Sequence, residues 1–115
     1  MLTEAKIEKQ VVAYCHKRGL YTRKFASPAH RGVPDRIICG RGKVLFLELK
    51  RPGNRPSALQ LSELSTLRIH GQYARWADSF KDSKAIIDDW FFPVPTSLEG
   101  KILALVEKAK IDVIG

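Results

Sequence analysis

Residues 32–53 read GVPDRIICGRGKVLFLELKRPG. Two apolar runs, DRIICG and KVLFLELK, flank Gly40-Arg41-Gly42, a sequence suited to the tight turn of a hairpin. Strands this apolar serve a core, yet each carries a carboxylate, Asp35 and Glu48, and Lys50 follows two positions after Glu48. Side chains alternate across a strand, so Leu45, Leu47 and Leu49 share one face while Phe46, Glu48 and Lys50 share the other. Glu48 and Lys50 then stand about 7 Å apart along the strand. Pro34 favours a bend just before Asp35. In a hairpin centred on 40–42, Asp35 and Glu48 lie near each other across the ladder.

Two close carboxylates among apolar neighbours repel and need a counter-charge. A divalent cation with oxygen ligands supplies one, and Mg²⁺ bound by one or two carboxylates keeps waters and room for a phosphate. Lys50 beside it is placed to orient the attacking water or help deprotonate it. Taken singly, each acid has a plainer explanation: Asp35 paired with Arg36 or Arg31, Glu48 with Lys50 or Arg51. The combination argues otherwise. From His16 to Arg55 there are eleven basic residues, and Asp35 and Glu48 are the two acids. The rest of the chain carries nine basic and ten acidic residues, so the whole excess positive charge sits in this segment. Such concentration is expected of a surface that meets nucleic acid.

Outward from the hairpin, Thr3 is a plausible N-cap for a helix with Ile7, Val11, Val12 and Cys15 on one face and Gly19 as its stop. Leu20 to Ala26 alternates like a strand. Pro56 opens a second helix through Leu59, Leu61, Leu64 and Leu67 to Gly71. QYARWAD reads as a fourth strand, SKAIIDDWF as a helix capped by Ser83, and SLEGKILALVEKAKI as a last amphipathic helix. This order predicts one α/β domain over residues 1–115, a mixed sheet flanked by helices. The hairpin is antiparallel, and the strand after the second helix can return parallel. Residues 93–115 form a C-terminal helical extension.

His16, His30 and His70 lack metal-ligand spacing, Trp76 and Trp90 read as core, and no phosphate-cradling loop or nucleophile elbow is present. Two cysteines, Cys15 and Cys39, are too few for a disulfide scaffold. The charged start MLTEAKIEKQ lacks a signal peptide's apolar core, and no apolar run approaches the ~20 residues of a membrane span. A cytoplasmic protein is expected.

The stretch GVPDRIICGRGKVLFLELKRPGNRPSALQ resembles the VRR-NUC branch of the PD-(D/E)XK nucleases, in their stand-alone phage and bacterial form. The similarity extends from IEKQVVAYCHKRG to GQYARWADS, about residues 3–90. It implies a restriction-endonuclease-like fold and metal-dependent hydrolysis of DNA. Asp35 and Glu48 would bind Mg²⁺ or Mn²⁺, with the backbone carbonyl of Leu49 as a further ligand. Lys50 would position the nucleophilic water, and Gln60 would orient Lys50 or that water. An acid on the first helix would complete the site, Glu8 first and Glu4 as fallback. Lys24, Arg31, Arg36, Arg51 and Arg55 are expected to meet DNA phosphates. The expected substrate is branched DNA such as a four-way junction. The expected working unit is a homodimer, joined through the apolar face of Ile102, Leu103, Leu105 and Val106. A nicking or flap-directed nuclease, or a basic binding module without catalysis, are the alternatives.

Overall fold

The computed structural model describes residues 2–95 and 98–114, with backbone alone for Glu99 and for 110–114. Eight elements follow one another: α1 (Glu4–Lys17), β1 (Tyr21–Lys24), β2 (Arg36–Gly40), β3 (Lys43–Leu49), α2 (Ala58–Ile69), β4 (Tyr73–Ala77), α3 (Phe80–Phe91) and α4 (Leu98–Ile114). The four strands form one mixed sheet in the order β1-β2-β3-β4. The first three are antiparallel, and β4 joins β3 in parallel.

The β2–β3 turn sets everything downstream. Gly40 pairs with Lys43, leaving two residues, Arg41 and Gly42, at φ 52° and 77°. Positive φ at both central positions is the twist-matched two-residue turn, which glycine adopts freely and arginine does not. The register then runs Cys39 to Val44, Ile38 to Leu45, Ile37 to Phe46 and Arg36 to Leu47. One step further, Asp35 faces Glu48.

Leu45, Leu47 and Leu49 bury one sheet face with Ile38, against Ile7, Val11 and Cys15 of α1 and Ile87 and Phe91 of α3. Val12, grouped with these by spacing, is only half-buried. Thr3 caps α1 by accepting from the Lys6 amide at 3.2 Å. Helix α3 starts a turn earlier than SKAIIDDWF suggests: Ser79 is its cap, accepting from the Asp82 amide at 3.0 Å. Ser83, expected as that cap, lies buried inside the helix and donates to the Ser79 carbonyl at 2.7 Å. A hydroxyl back-bonded to a preceding carbonyl is tolerated mid-helix. Strand β1 is also shorter than the alternation from Leu20 to Ala26, although Phe25 N–H still reaches the Asp35 carbonyl at 2.8 Å. On α4, Ile102, Leu103, Leu105 and Val106 are all exposed.

Candidate active site

Asp35 sits just before β2, and one of its oxygens accepts the Leu49 amide at 2.9 Å. This bond ties the carboxylate to the end of β3, whose Leu49 side chain is locked in the core. Glu48 faces Asp35 and is 2% exposed. Burial, the hydrogen bond it makes to Asp35 and the Asp35 charge raise its carboxyl from 4.5 to about 9, with a smaller contribution from Glu4. The nearby Lys50 ammonium pulls the other way without offsetting them. At neutral pH the pair thus holds a proton between its carboxyl groups, which a cation can displace.

Asp35 opens onto a cleft of about 550 Å³ at the end of the sheet remote from the hairpin turn, and the buried Glu48 is not part of its lining. Asp35, Leu49, Glu4, Glu8, Lys24 and Arg51 line it, together with Asn54. Among the described residues, no group of three or more His, Cys, Asp and Glu side chains is gathered closely enough to hold a metal ion. The donors at hand are two facing carboxylates and the backbone of Leu49. That set suits a hard cation that keeps part of its water, as Mg²⁺ does, better than one needing a complete protein cage.

The helix α1 acids divide their work. Glu8 is held at 3.2 Å by Arg36 and at 3.6 Å by Lys24. Glu4, one turn nearer the helix start, is the acid whose charge reaches Glu48. Arg36, expected to meet phosphate, is instead buried. Its guanidinium donates to the Thr22 hydroxyl at 3.2 and 3.3 Å and to Glu8. It faces inward because it shares the face of Ile38 and Leu47, and its charge is spent on holding β1 and α1 together. Gln60 is likewise engaged: its side-chain oxygen accepts the Ser57 backbone N–H at 2.8 Å and its backbone N–H donates to the Ser57 hydroxyl at 3.2 Å, closing a capping box at the start of α2. Lys24, Arg31, Arg51 and Arg55 are exposed, with Lys24 and Arg51 at the cleft. His30 is bound to Glu63 at 2.9 Å and clasps the loop before Asp35 to α2. Asn54 at the cleft carried no signal in the sequence beyond its place in the loop after Arg51.

A mixed sheet presents two facing carboxylates, with a lysine just past the end of β3, beside a cleft lined by acids and by Lys24 and Arg51, an arrangement suited to a phosphodiester-cleaving α/β domain. Comparison with known proteins agrees. The chain is 40% identical over 80 residues to "Putative nuclease p44" of Acyrthosiphon pisum secondary endosymbiont phage 1, covering 69% of this chain and 86% of that protein. A solved structure described as a VRR_NUC domain superposes with a TM-score of 0.70 at 26% identity, over 76% of this chain and 97% of that one. A second, a VRR_NUC domain protein, gives 0.67 at 20% identity over 77% and 88%, a likeness of fold. No family model matches the chain. The chain belongs to the VRR-NUC nuclease family.

Proposed function

We propose that this nuclease is a divalent-metal-dependent DNA endonuclease, using Mg²⁺ or Mn²⁺ and selective for branched DNA such as four-way junctions. The observation that carries the metal dependence is the buried Glu48 opposite Asp35, a pair that stays half-protonated unless a cation neutralises it. Asp35 and Glu48 would hold the ion, with the Leu49 carbonyl at the same strand end and Glu4 nearest among the helix acids. When bound, the ion supplies charge stabilisation at the scissile phosphate, worth several kcal/mol. Lys50 stands beside Glu48 with its backbone fixed by the bond from its amide to the Ala77 carbonyl at 2.9 Å. Its ammonium orients the attacking water. Lys24 and Arg51 at the cleft, with the exposed Arg31 and Arg55, draw the phosphate backbone in. Glu8, braced by Arg36, sets the position of α1 rather than binding first.

The junction preference follows from symmetry. Resolving a four-way junction takes two matching cuts, and a two-fold dimer offers two identical sites. The exposed apolar side chains of α4 supply a surface for it, with Ile102 at 52%, Leu103 at 60%, Leu105 at 66% and Val106 at 45% exposure. The test is a panel of labelled linear, nicked, flap and four-way-junction DNAs with Mg²⁺, Mn²⁺ or EDTA, alongside light scattering. Cleavage that persists in EDTA refutes the metal role. A monomer cutting linear duplex as fast as junctions refutes the dimer and the preference, and leaves the nuclease in place.

A further inference from the structure

The end of the sheet opposite the carboxylates carries a second set of cations. Arg18 and Arg41 both lie over the Phe92 ring, their guanidinium carbons 3.9 and 5.1 Å from its centre. Beside them, the Lys43 ammonium lies 4.7 Å from the Trp90 ring centre and donates to the Trp90 carbonyl at 2.8 Å. Trp90 stacks on Tyr73 at 4.2 Å, and Arg75 covers Tyr73 at 4.0 Å. Trp90 lies in the last turn of α3 and Phe92 is its C-cap, while their partners Lys43 and Arg41 flank Gly42 at the hairpin turn. Arg68 ends this row, its pKa lowered by burial and by the neighbouring Arg75 charge.

Among the described residues, none of Arg18, Arg41, Lys43, Arg68 and Arg75 forms an ion pair with a carboxylate. Asp88, on the last turns of α3, is taken by Tyr14 and Lys84. Helix dipoles account for part of the row, because Arg18 and Arg68 stand at the ends of α1 and α2 where cations are favoured. They do not account for Arg41, Lys43 and Arg75, which belong to the hairpin turn and the strands. Arg68 and Arg75 each spend one N–H on the Ala74 carbonyl, at 2.7 and 2.9 Å, whereas the guanidinium groups of Arg18 and Arg41, lying over the Phe92 ring, keep the N–H fork that fits a phosphate.

We propose that this row of ring-stacked cations at the hairpin-turn end of the sheet binds a second stretch of DNA backbone, separate from the stretch at the carboxylates. The inference rests on the nuclease reading. Lys43 and Leu49 are the two ends of β3, six residue steps apart, so the two surfaces stand about 20 Å from one another. That is roughly six base pairs of duplex. A substrate must be long or branched to touch both.

The test uses the full chain with Arg18→Gln and Arg41→Asn together, asparagine being tolerated at the positive φ of residue 41. Affinity is measured in EDTA against salt, for a four-way junction and for a hairpin-capped duplex of about five base pairs, too short to span both surfaces. The expected result is a junction salt slope smaller by about 1.8, at roughly 0.9 for each phosphate no longer neutralised. Between 50 and 200 mM salt the parent then loses about twelvefold more affinity than the variant. Binding of the short duplex, and its cleavage with Mg²⁺, should be unchanged. The pair Arg18→Lys and Arg41→Lys, which keeps the charge, should restore the slope. An unchanged junction slope overturns the proposal, as does an equal loss on the short duplex or a lysine pair that restores nothing. A parent that neither binds nor cuts DNA overturns the nuclease reading itself. Intact cleavage with an unchanged slope removes only this surface.

Discussion

Replacing Glu48 with glutamine keeps the shape of a buried side chain and keeps a donor toward Asp35, but removes the titration. In the unfolded chain the Glu48 carboxyl ionises near pH 4.5, and in the metal-free fold it holds its proton to about pH 9. Between those values folding takes up a proton, so this residue's contribution to stability falls as pH rises. Below pH 4.5 it is fully present, and it is lost as pH climbs through the folded value. At pH 7.5 the gap from the unfolded value is three pH units, each about 1.4 kcal/mol, so the parent carries a penalty of at most about 4 kcal/mol. Glu48→Gln escapes it. Urea unfolding in EDTA between pH 5 and 9 should show the variant gaining on the parent by up to about 1.4 kcal/mol per pH unit. Adding Mg²⁺ at pH 8 should raise the midpoint of the parent and leave that of the variant where it was. The variant should also be inactive. A stability gap that stays constant across this pH range would show that Glu48 is not the buried, proton-holding member of the pair.

Asp35→Asn should abolish cleavage and move the pH-dependent loss of stability set by Glu48 to lower pH in urea unfolding in EDTA, since the Asp35 charge is among the causes that raise the Glu48 carboxyl while asparagine still offers the Leu49 amide an oxygen. Lys50→Ala should cut turnover far more than DNA affinity, as read by single-turnover rates beside binding isotherms. Arg51→Ala should weaken binding and reduce the salt slope by about one. Arg36→Ala should instead cost about 3 kcal/mol in urea unfolding, for it strips partners from Thr22 and Glu8 in a buried setting; a stable variant with weakened DNA binding would return Arg36 to the phosphate surface.

The parts of this architecture written in local sequence were readable from the residues alone. The glycines around Arg41 marked the turn, but it is one residue shorter than Gly40–Gly42: Gly40 pairs with Lys43, and that register brings Asp35 opposite Glu48. The leucines alternating with Phe46 and Glu48 told which face was core. Ambiguity arose where a choice depended on partners distant in sequence. Glu4 and Glu8 lie one turn apart on the same helix, and only the position of Arg36, on a strand beneath, assigns Glu8 to an ion pair. Some misplacements had signals at hand. Arg36 alternates with Ile38 and so shares its buried face. Ser57 with Gln60 three residues on spells a capping box, and Ser79 with Asp82 repeats the spacing at α3. The role of α4 was unreadable for a different reason: an amphipathic helix looks the same whether its apolar face meets its own sheet or another surface.

The two-residue turn at Arg41-Gly42 also makes the hairpin a measuring rod with fixed graduations. Such a turn closes only on a hydrogen-bonded pair, and bonded and non-bonded pairs alternate along an antiparallel ladder. Related chains can therefore lengthen or shorten this hairpin while keeping the turn only by two residues per strand at a time. Each increment moves the turn by about 7 Å, close to two base-pair steps, and returns every side chain to its original face. The carboxylates at the open end never notice the change. The distance from the turn to the carboxylates can thus be retuned in whole steps while the carboxylates stay where they are.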